Sequence, residues 1–338
     1  MTHRVTLIPG DGIGPEITEA TRRVLEATGV SFAWDEQLGG VAALERTGTP
    51  LPDATIESIR QTRVALKGPL TTPVGSGFRS VNVALRREFN LYANVRPART
   101  LVPGGRYEDV DIVLVRENTE GLYVGFETFI PVDGDPKAVA QASSIVTRHG
   151  CQRIARFAFE YAVHHGRRKV TICHKANILK TVSGLFLDVA REVGAEYRGR
   201  VECNDVIIDA AAMKLVLDPS QFDVIVTTNM FGDILSDEIA GLVGGLGLAP
   251  GANIGDGAAI FEAVHGSAPD IAGRGIANPS ALMLAGCEML EYLEETAAAA
   301  SVRNALVAAL RDETVRTPDL KGHATTLEFT DAVLRRLA

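Results

Sequence analysis

"RVTLIPGDGIGPE" (4–16) sets an apolar run, Val5 to Ile8, directly before glycines 10, 12 and 14. A strand entering a glycine turn and then a helix is the outline of a dinucleotide-binding unit. That fingerprint, G-x-G-x-x-G, keeps its third glycine for close helix–strand packing. Here Pro15 stands in the third place. Proline suits the first turn of a helix, so "GPEIT" (14–18) reads as a helix start and supplies no packing glycine. Asp35 and Glu36 end the next apolar run, roughly where a ribose-binding acid would stand. They are equally ordinary as solvent-facing strand-end residues. Three readings stay open: a dinucleotide site, a tight strand-to-helix turn, or a glycine turn that touches a ligand in some other fold.

The chain's 338 residues suit one large domain or two closely joined ones, and its 46% hydrophobic content can fill a core without metals or disulfides. A net charge of −8 argues against a general nucleic-acid or anionic-membrane binder. Cys151, Cys173, Cys203 and Cys287 are scattered with no CxxC pair, which points to reduced thiols rather than a zinc or disulfide framework. No signal-like segment and no membrane-length apolar window stands out, so the expected location is the cytoplasm.

Apolar, β-branched runs at 4–8, 30–35, 63–67, 110–115, 169–173, 200–202 and 223–227 alternate with helix-like stretches. The helical stretches are 15–28, 52–60, 80–87, 149–165, 178–193, 209–216, 232–243, 279–293 and 299–312. Such alternation predicts an α/β architecture with helices covering the strands. "VDGDPKAVAQ" (132–141) reads as an irregular excursion, and "GGLGLAPGANIGDG" (244–257) as a compact turn region rather than an element interior.

Four constellations carry candidate chemistry. In "RSVNVALRREFNLYANVRPAR" (79–99), a helix from Ser80 puts Asn82 and Arg86 on one face, with Arg96 and Arg116 downstream. Arginine forks and a helix N-terminus together suit a substrate bearing several carboxylates. Asp209, Asp233 and Asp237 offer oxygen ligands of the kind Mg²⁺ or Mn²⁺ takes, although carboxylates also simply complement helix dipoles. Tyr123 in "RENTEGLYVG" and Lys175 in "VTICHKANILK" are an acid and a base candidate. A lysine after an apolar strand is open to desolvation, which lowers its pKa toward that of a general base. Surface placement of that lysine stands as the plain alternative. In "FEAVHGSAPDIAGRGIANP" (261–279), His265 to Ala268 form a small-residue loop able to wrap a phosphate or an adenine. Asp270 beside it is placed to accept from ribose hydroxyls and would repel a 2′-phosphate.

Together these stretches resemble the β-decarboxylating dehydrogenases, the isocitrate, 3-isopropylmalate and homoisocitrate enzymes. The resemblance runs from "PGDGIGPE" (9–16) to "RTPDLKGHATTLEF" (316–329) with the motifs in the family's order. It implies a three-layer isopropylmalate dehydrogenase-like α/β fold, not a Rossmann fold. The large domain would be interrupted, 1–98 plus 246–338, with a smaller dimerisation domain at 99–245 and a clasp at 125–148. It implies that Ser80, Asn82, Arg86, Arg96 and Arg116 bind substrate, that Tyr123 and Lys175 are the acid–base pair, and that Asp209, Asp233 and Asp237 hold Mg²⁺ or Mn²⁺. The cofactor would meet Ile13, Thr72, Glu262, His265, Gly266, Ser267, Ala268, Pro269, Asp270, Ile271 and Asn278. Ser80-Val81-Asn82 matches the isocitrate branch, because a polar helix start suits a carboxylate better than an isopropyl group. Homoisocitrate or 3-isopropylmalate is the alternative substrate. Asp270-Ile271, where NADP-using members tend to carry a lysine–tyrosine pair, favours NAD. The family pattern further implies a homodimer or tetramer in which Lys175 and Asp209 reach the partner's site, a small tricarboxylate substrate, and neither nucleic-acid nor membrane partners. A non-catalytic regulatory subunit is the competing class. It would be expected to lose catalytic-site residues, whereas Tyr123, Lys175 and all three aspartates are present.

Overall fold

A computed structural model describes residues 1–71, 80–103 and 105–337. In chain order its strands are β1 (Thr2–Ile8), β2 (Ser31–Glu36), β3 (Val64–Lys67), β4 (Ala93–Arg99), β5 (Asp111–Glu117), β6 (Gly121–Val132), β7 (Asp135–Ile145), β8 (Lys169–His174), β9 (Glu202–Ile207), β10 (Val224–Thr227), β11 (Pro250–Ile254) and β12 (Ala259–Ala263). The α-helices are α1 (Gly14–Glu26), α2 (Val41–Thr47), α3 (Asp53–Thr62), α4 (Val81–Glu88), α5 (Arg148–His164), α6 (Val182–Glu196), α7 (Ile208–Leu217), α8 (Asn229–Leu242), α9 (Ser280–Tyr292), α10 (Thr296–Arg311) and α11 (Thr326–Leu337). No described helix is long and apolar enough to cross a membrane.

The chain divides into two units. The first takes residues 1–91, 96–110 and 240–338, the second 92–95 and 111–239. The first is interrupted, but its limits differ from 1–98 plus 246–338. Residues 96–110 fall in it, and that stretch closes on itself: Thr100 N–H donates to the Val110 carbonyl at 2.9 Å, and Val110 N–H to Thr100 Oγ1 at 3.2 Å.

In the first unit the strand order is β2-β1-β3-β12-β11, parallel except for the β11–β12 pair. All four residues of β3 are buried, as a strand covered on both faces requires. Helix α1 starts as its sequence predicts, with Pro15 in the first turn, and buries Ile17, Thr21, Val24 and Leu25 at helical spacing. The last two strands lie inside or next to the segment read as a turn, 244–257. Their small residues (Pro250, Gly251, Ala252 and Ala259) are buried but carry little branched apolar signal.

In the second unit the order is β5-β10-β8-β9, all parallel. Edge strand β9 begins at Glu202, where the 200–202 run was expected to end, and it is mostly exposed. Strands β6 and β7 form a separate antiparallel hairpin that pairs Phe129 with Ala140 and Ile130 with Val139. The excursion at 132–141 is therefore the tip and return strand of this hairpin. Phe126, Phe129, Ile130, Val132 and Val139 all stand exposed on it, Phe126 by 61%.

Candidate active site

Within the second unit, the next-to-last residue of β5 is Arg116, only 1% exposed. Its Nε and one terminal nitrogen donate to Asn229 Oδ1 at 3.1 and 2.7 Å, and the other donates to Asp233 Oδ1 at 2.5 Å. Asn229 and Asp233 occupy the first turn and a half of α8, and between them lies Gly232. A Cβ there would meet Arg116 Cγ at 2.6 Å, so the arginine's passage requires glycine. The Tyr123 hydroxyl donates to the other oxygen of Asp233, and the Arg116 guanidinium lies 5.2 Å over the tyrosine ring. Burial, then the hydrogen bond to Asp233 and that carboxylate's charge, raises the Tyr123 pKa, so the phenol keeps its proton at neutral pH. Asp237, one turn further along α8, is exposed. Arg116, Tyr123 and Asp233, read from the sequence as parts of three separate constellations, thus meet at one place, and Asn229 and Gly232 join them with no sign of it in the sequence.

Lys175 follows β8 directly. Its backbone N–H is fixed by Ser183 Oγ at 2.7 Å, and its ammonium, 25% exposed, pairs with Asp209 in the first turn of α7. That pairing lowers the Asp209 pKa. Among the described residues no three His, Cys, Asp or Glu side chains are gathered closely enough to hold a metal ion. Asp209 is occupied by Lys175, and Asp233 by Arg116 and Tyr123. As a donor set, the three carboxylates are hard oxygen ligands that fit Mg²⁺ or Mn²⁺.

In the first unit, α4 is capped by Ser80, whose Oγ accepts from Val83 N–H at 3.5 Å, which leaves the hydroxyl proton free to donate. Asn82 and Arg86 share a face one turn apart. Asn82 Oδ1 and Arg86 Nε are buried with no hydrogen-bond partner. Buried polar atoms are nearly always paired, so two orphans on one helix face point to a polar ligand. Arg96 lies half-buried on β4.

Glu262, on β12, takes a bond at 2.7 Å from Lys67 Nζ at the end of β3 and another at 2.8 Å from Asn253 Nδ2 on β11. Lys67 is 2% exposed and the Glu262 side chain 9%. Burial alone would raise this carboxyl's pKa, but the Lys67 and Arg86 charges outweigh it and hold it down at about 2. A ribose-side contact is the expectation for Glu262; its observed partners are Lys67 and Asn253, neither of which the sequence singled out.

The opening turn and the loop after β12 meet. Ile13 N–H donates to the Ser267 carbonyl at 2.9 Å, and Thr71 Oγ1 lies 2.6 Å from Ser267 Oγ. Thr72 lies outside the described residues. Ala268 adopts a left-handed φ of 40°, which leads into a short 3₁₀ turn, Pro269–Ile271, with Asp270 exposed. His265 Nδ1 sits 2.9 Å from the Gly266 carbonyl. A carbonyl only accepts, so Nδ1 carries the proton, and burial lowers this imidazole's pKa, leaving Nε2 an acceptor. Gly266 is exposed beside it. Asn278 bonds to Asp319 at 2.9 Å and accepts from Ser280 N–H at 3.0 Å. Asp35 accepts from Ser58 and Gln37, both at 2.7 Å, so it is tied into its own layer.

With this geometry in view, a family model described as isocitrate/isopropylmalate dehydrogenase matches residues 4–333. The chain belongs to that family. A solved isocitrate dehydrogenase from Methylococcus capsulatus superposes with a TM-score of 0.95 at 55% identity, covering 99% of each chain. The NAD isocitrate dehydrogenase catalytic subunit 5 of Arabidopsis thaliana mitochondria is 48% identical over 98% of this chain and 88% of its own. The 3-isopropylmalate dehydrogenase of Archaeoglobus fulgidus is 49% identical over 98% of both. Relatives named for different substrates are thus equally similar, and overall identity does not choose between them. The family's opening glycine motif is here a strand-to-helix turn bonded to the 265–271 loop, which puts aside the independent fingerprint site considered for it.

Proposed function

We propose that this enzyme oxidises isocitrate with NAD and decarboxylates the product to 2-oxoglutarate. The observation that carries this is the polar face of α4. Ser80 retains a donor there, and Asn82 Oδ1 and Arg86 Nε are buried without partners. An apolar isopropyl group against that face would leave them unsatisfied, at about 1–3 kcal/mol each, whereas a carboxylate accepts from Arg86 Nε–H and a hydroxyl donates to Asn82 Oδ1. Exposed Asp270 at the 265–271 loop supports NAD over NADP, since its charge accepts from ribose hydroxyls and repels a 2′-phosphate.

In this reading Arg86, Arg96 and Arg116 hold the substrate carboxylates, and Ser80 donates to the one that distinguishes isocitrate from smaller malates. Asp233 and Asp237, with Asp209 from a second copy of the chain, would hold Mg²⁺ or Mn²⁺, and Lys175 would come from that second copy too. When bound, NAD supplies the hydride acceptor and the cation the positive charge that steadies the developing enolate. Lys175, neutral when reactive, takes the proton of the substrate hydroxyl. Tyr123, kept protonated by its setting, returns a proton to the carbon that loses CO₂, and Arg116 holds that ring in place. The exposed apolar hairpin β6–β7 supports the homodimer. The test is a spectrophotometric panel of isocitrate, homoisocitrate, 3-isopropylmalate, tartrate and D-malate, each with NAD and NADP. Isocitrate with NAD should show the highest kcat/KM, and preference for any other pair overturns the reading.

A further inference from the structure

The aspartate of the opening turn has no part in the chemistry above, yet its contacts reach both ligand-binding segments of the first unit. Asp11 is only 8% exposed. Its carboxylate accepts three backbone N–H bonds from outside its own turn. Val41 and Ala42 each donate at 3.0 Å, and Thr71 at 2.7 Å. Its main chain is also engaged, since its N–H donates to the Pro69 carbonyl at 2.8 Å. The chain at Gly40 approaches so closely, at a φ of 77°, that a Cβ there would fall 1.9 Å from Asp11 Oδ2. A carboxylate that gathers three amides is an acceptor-only group no other short side chain can replace. Asparagine would keep one acceptor oxygen and turn an NH₂ toward an amide N–H.

What these bonds fix is informative. Two residues beyond Asp11, Ile13 N–H holds the Ser267 carbonyl, and the amide-bound Thr71 offers its hydroxyl to Ser267 Oγ. Thr71 opens the segment that leads to Ser80 and α4, and Ser267 lies in the loop after β12. We propose that Asp11 is a positioning residue that couples the 265–271 cofactor loop to the segment carrying the substrate helix. Loosening Asp11 frees Thr71, and Ser267 loses one of its two anchors. This rests on the reading of 265–271 as the cofactor loop.

The test uses the full-length enzyme. Asp11→Asn and Thr71→Val are compared with wild type for KM of NAD, kcat, and NADH binding by fluorescence titration. The substrate is whichever member of the panel wild type turns over best, so a different substrate preference would not decide this question. Wild type that binds no NADH sinks the cofactor reading itself. Asp11→Asn should raise KM for NAD and weaken NADH binding about tenfold, with kcat changed less than threefold. Thr71→Val keeps the amide bond to Asp11 and loses only the hydroxyl contact. It should shift both constants in the same direction by a smaller factor, which serves if Asp11→Asn folds poorly. The double variant should be less impaired than the product of the two factors, because both act on one path. Unchanged NADH affinity in folded variants, or strictly multiplicative effects, overturns the proposal.

Discussion

Replacing Glu262 with glutamine would test how the first unit is held together. The substitution keeps the shape and one acceptor but strips the charge facing Lys67, whose side chain is 2% exposed. Removing one partner of a buried pair typically costs about 3–5 kcal/mol, because the other charge is stranded. Titration gives a similar size. The Glu262 carboxyl, ordinarily at 4.5, is held at about 2, and at 1.36 kcal/mol per unit that is ~3 kcal/mol. Its folded pKa is depressed, so this stability is present above about pH 4.5 and is lost as pH falls toward about 2. The chain's one tryptophan, Trp34 on β2, belongs to the same unit and reports its unfolding in urea. At pH 7, Glu262→Gln should lose about 3 kcal/mol. Between pH 4.5 and 2.5 its stability should fall less steeply than wild type's. Replacing the pair together, Lys67→Met with Glu262→Leu, should recover most of the loss, since apolar substitutes for a buried pair are often neutral. A single variant within about 0.5 kcal/mol of wild type, or a double variant no better than the single, would refute this account.

A second carboxylate works in the opposite direction. On α9, burial and then the neighbouring Glu291 push Glu288 up to about 7, although Arg303 lies at 3.3 Å. Because its folded pKa exceeds the unfolded one, wild-type stability should fall as pH rises from about 4.5 to 7. Glu288→Gln should flatten that fall and be about 2–3 kcal/mol more stable at pH 8, and an unchanged pH slope in urea midpoints would contradict it. Asp270→Lys with Ile271→Tyr should move the NADP/NAD ratio of kcat/KM upward by about tenfold or more; an unmoved ratio would remove Asp270 from the ribose. Tyr123→Phe should slow carbon protonation by about 10²–10⁴ while sparing reduction of the oxo-acid intermediate. Equal losses in the two assays would argue against a separate proton-donor role.

What could be read from the sequence depended on how local each cause is. The strand, turn and helix at 4–26 are legible because Pro15 and the apolar spacing act within a few residues. The face shared by Asn82 and Arg86 follows from helix geometry alone. Strand β4 escaped notice because Arg96 and Pro97 interrupt its apolar pattern, and β6–β7 because neither face of that hairpin is buried in its own chain, so no alternation marks it. Asn229 is bound to Arg116 across 113 positions, and Lys67 answers to Glu262 on a distant strand. Their importance lies wholly in partners that a linear reading cannot align. Asp11 carries no local signal for the same reason, since its amide partners lie 30, 31 and 60 positions away.

The hairpin β6–β7 carries a further consequence. An isolated two-stranded ribbon is marginal in water, and this one exposes phenylalanines at 126 and 129 together with Ile130 and Val139. Its order has to be borrowed from whatever covers it. Its amides should therefore exchange with deuterium far faster than those of β3 or β10, and the gap should narrow as protein concentration rises if a second copy supplies the cover. In a dilute or newly made chain, this exposed ribbon is open to proteases and to mispairing, and it is a feature that a quality-control system would sense.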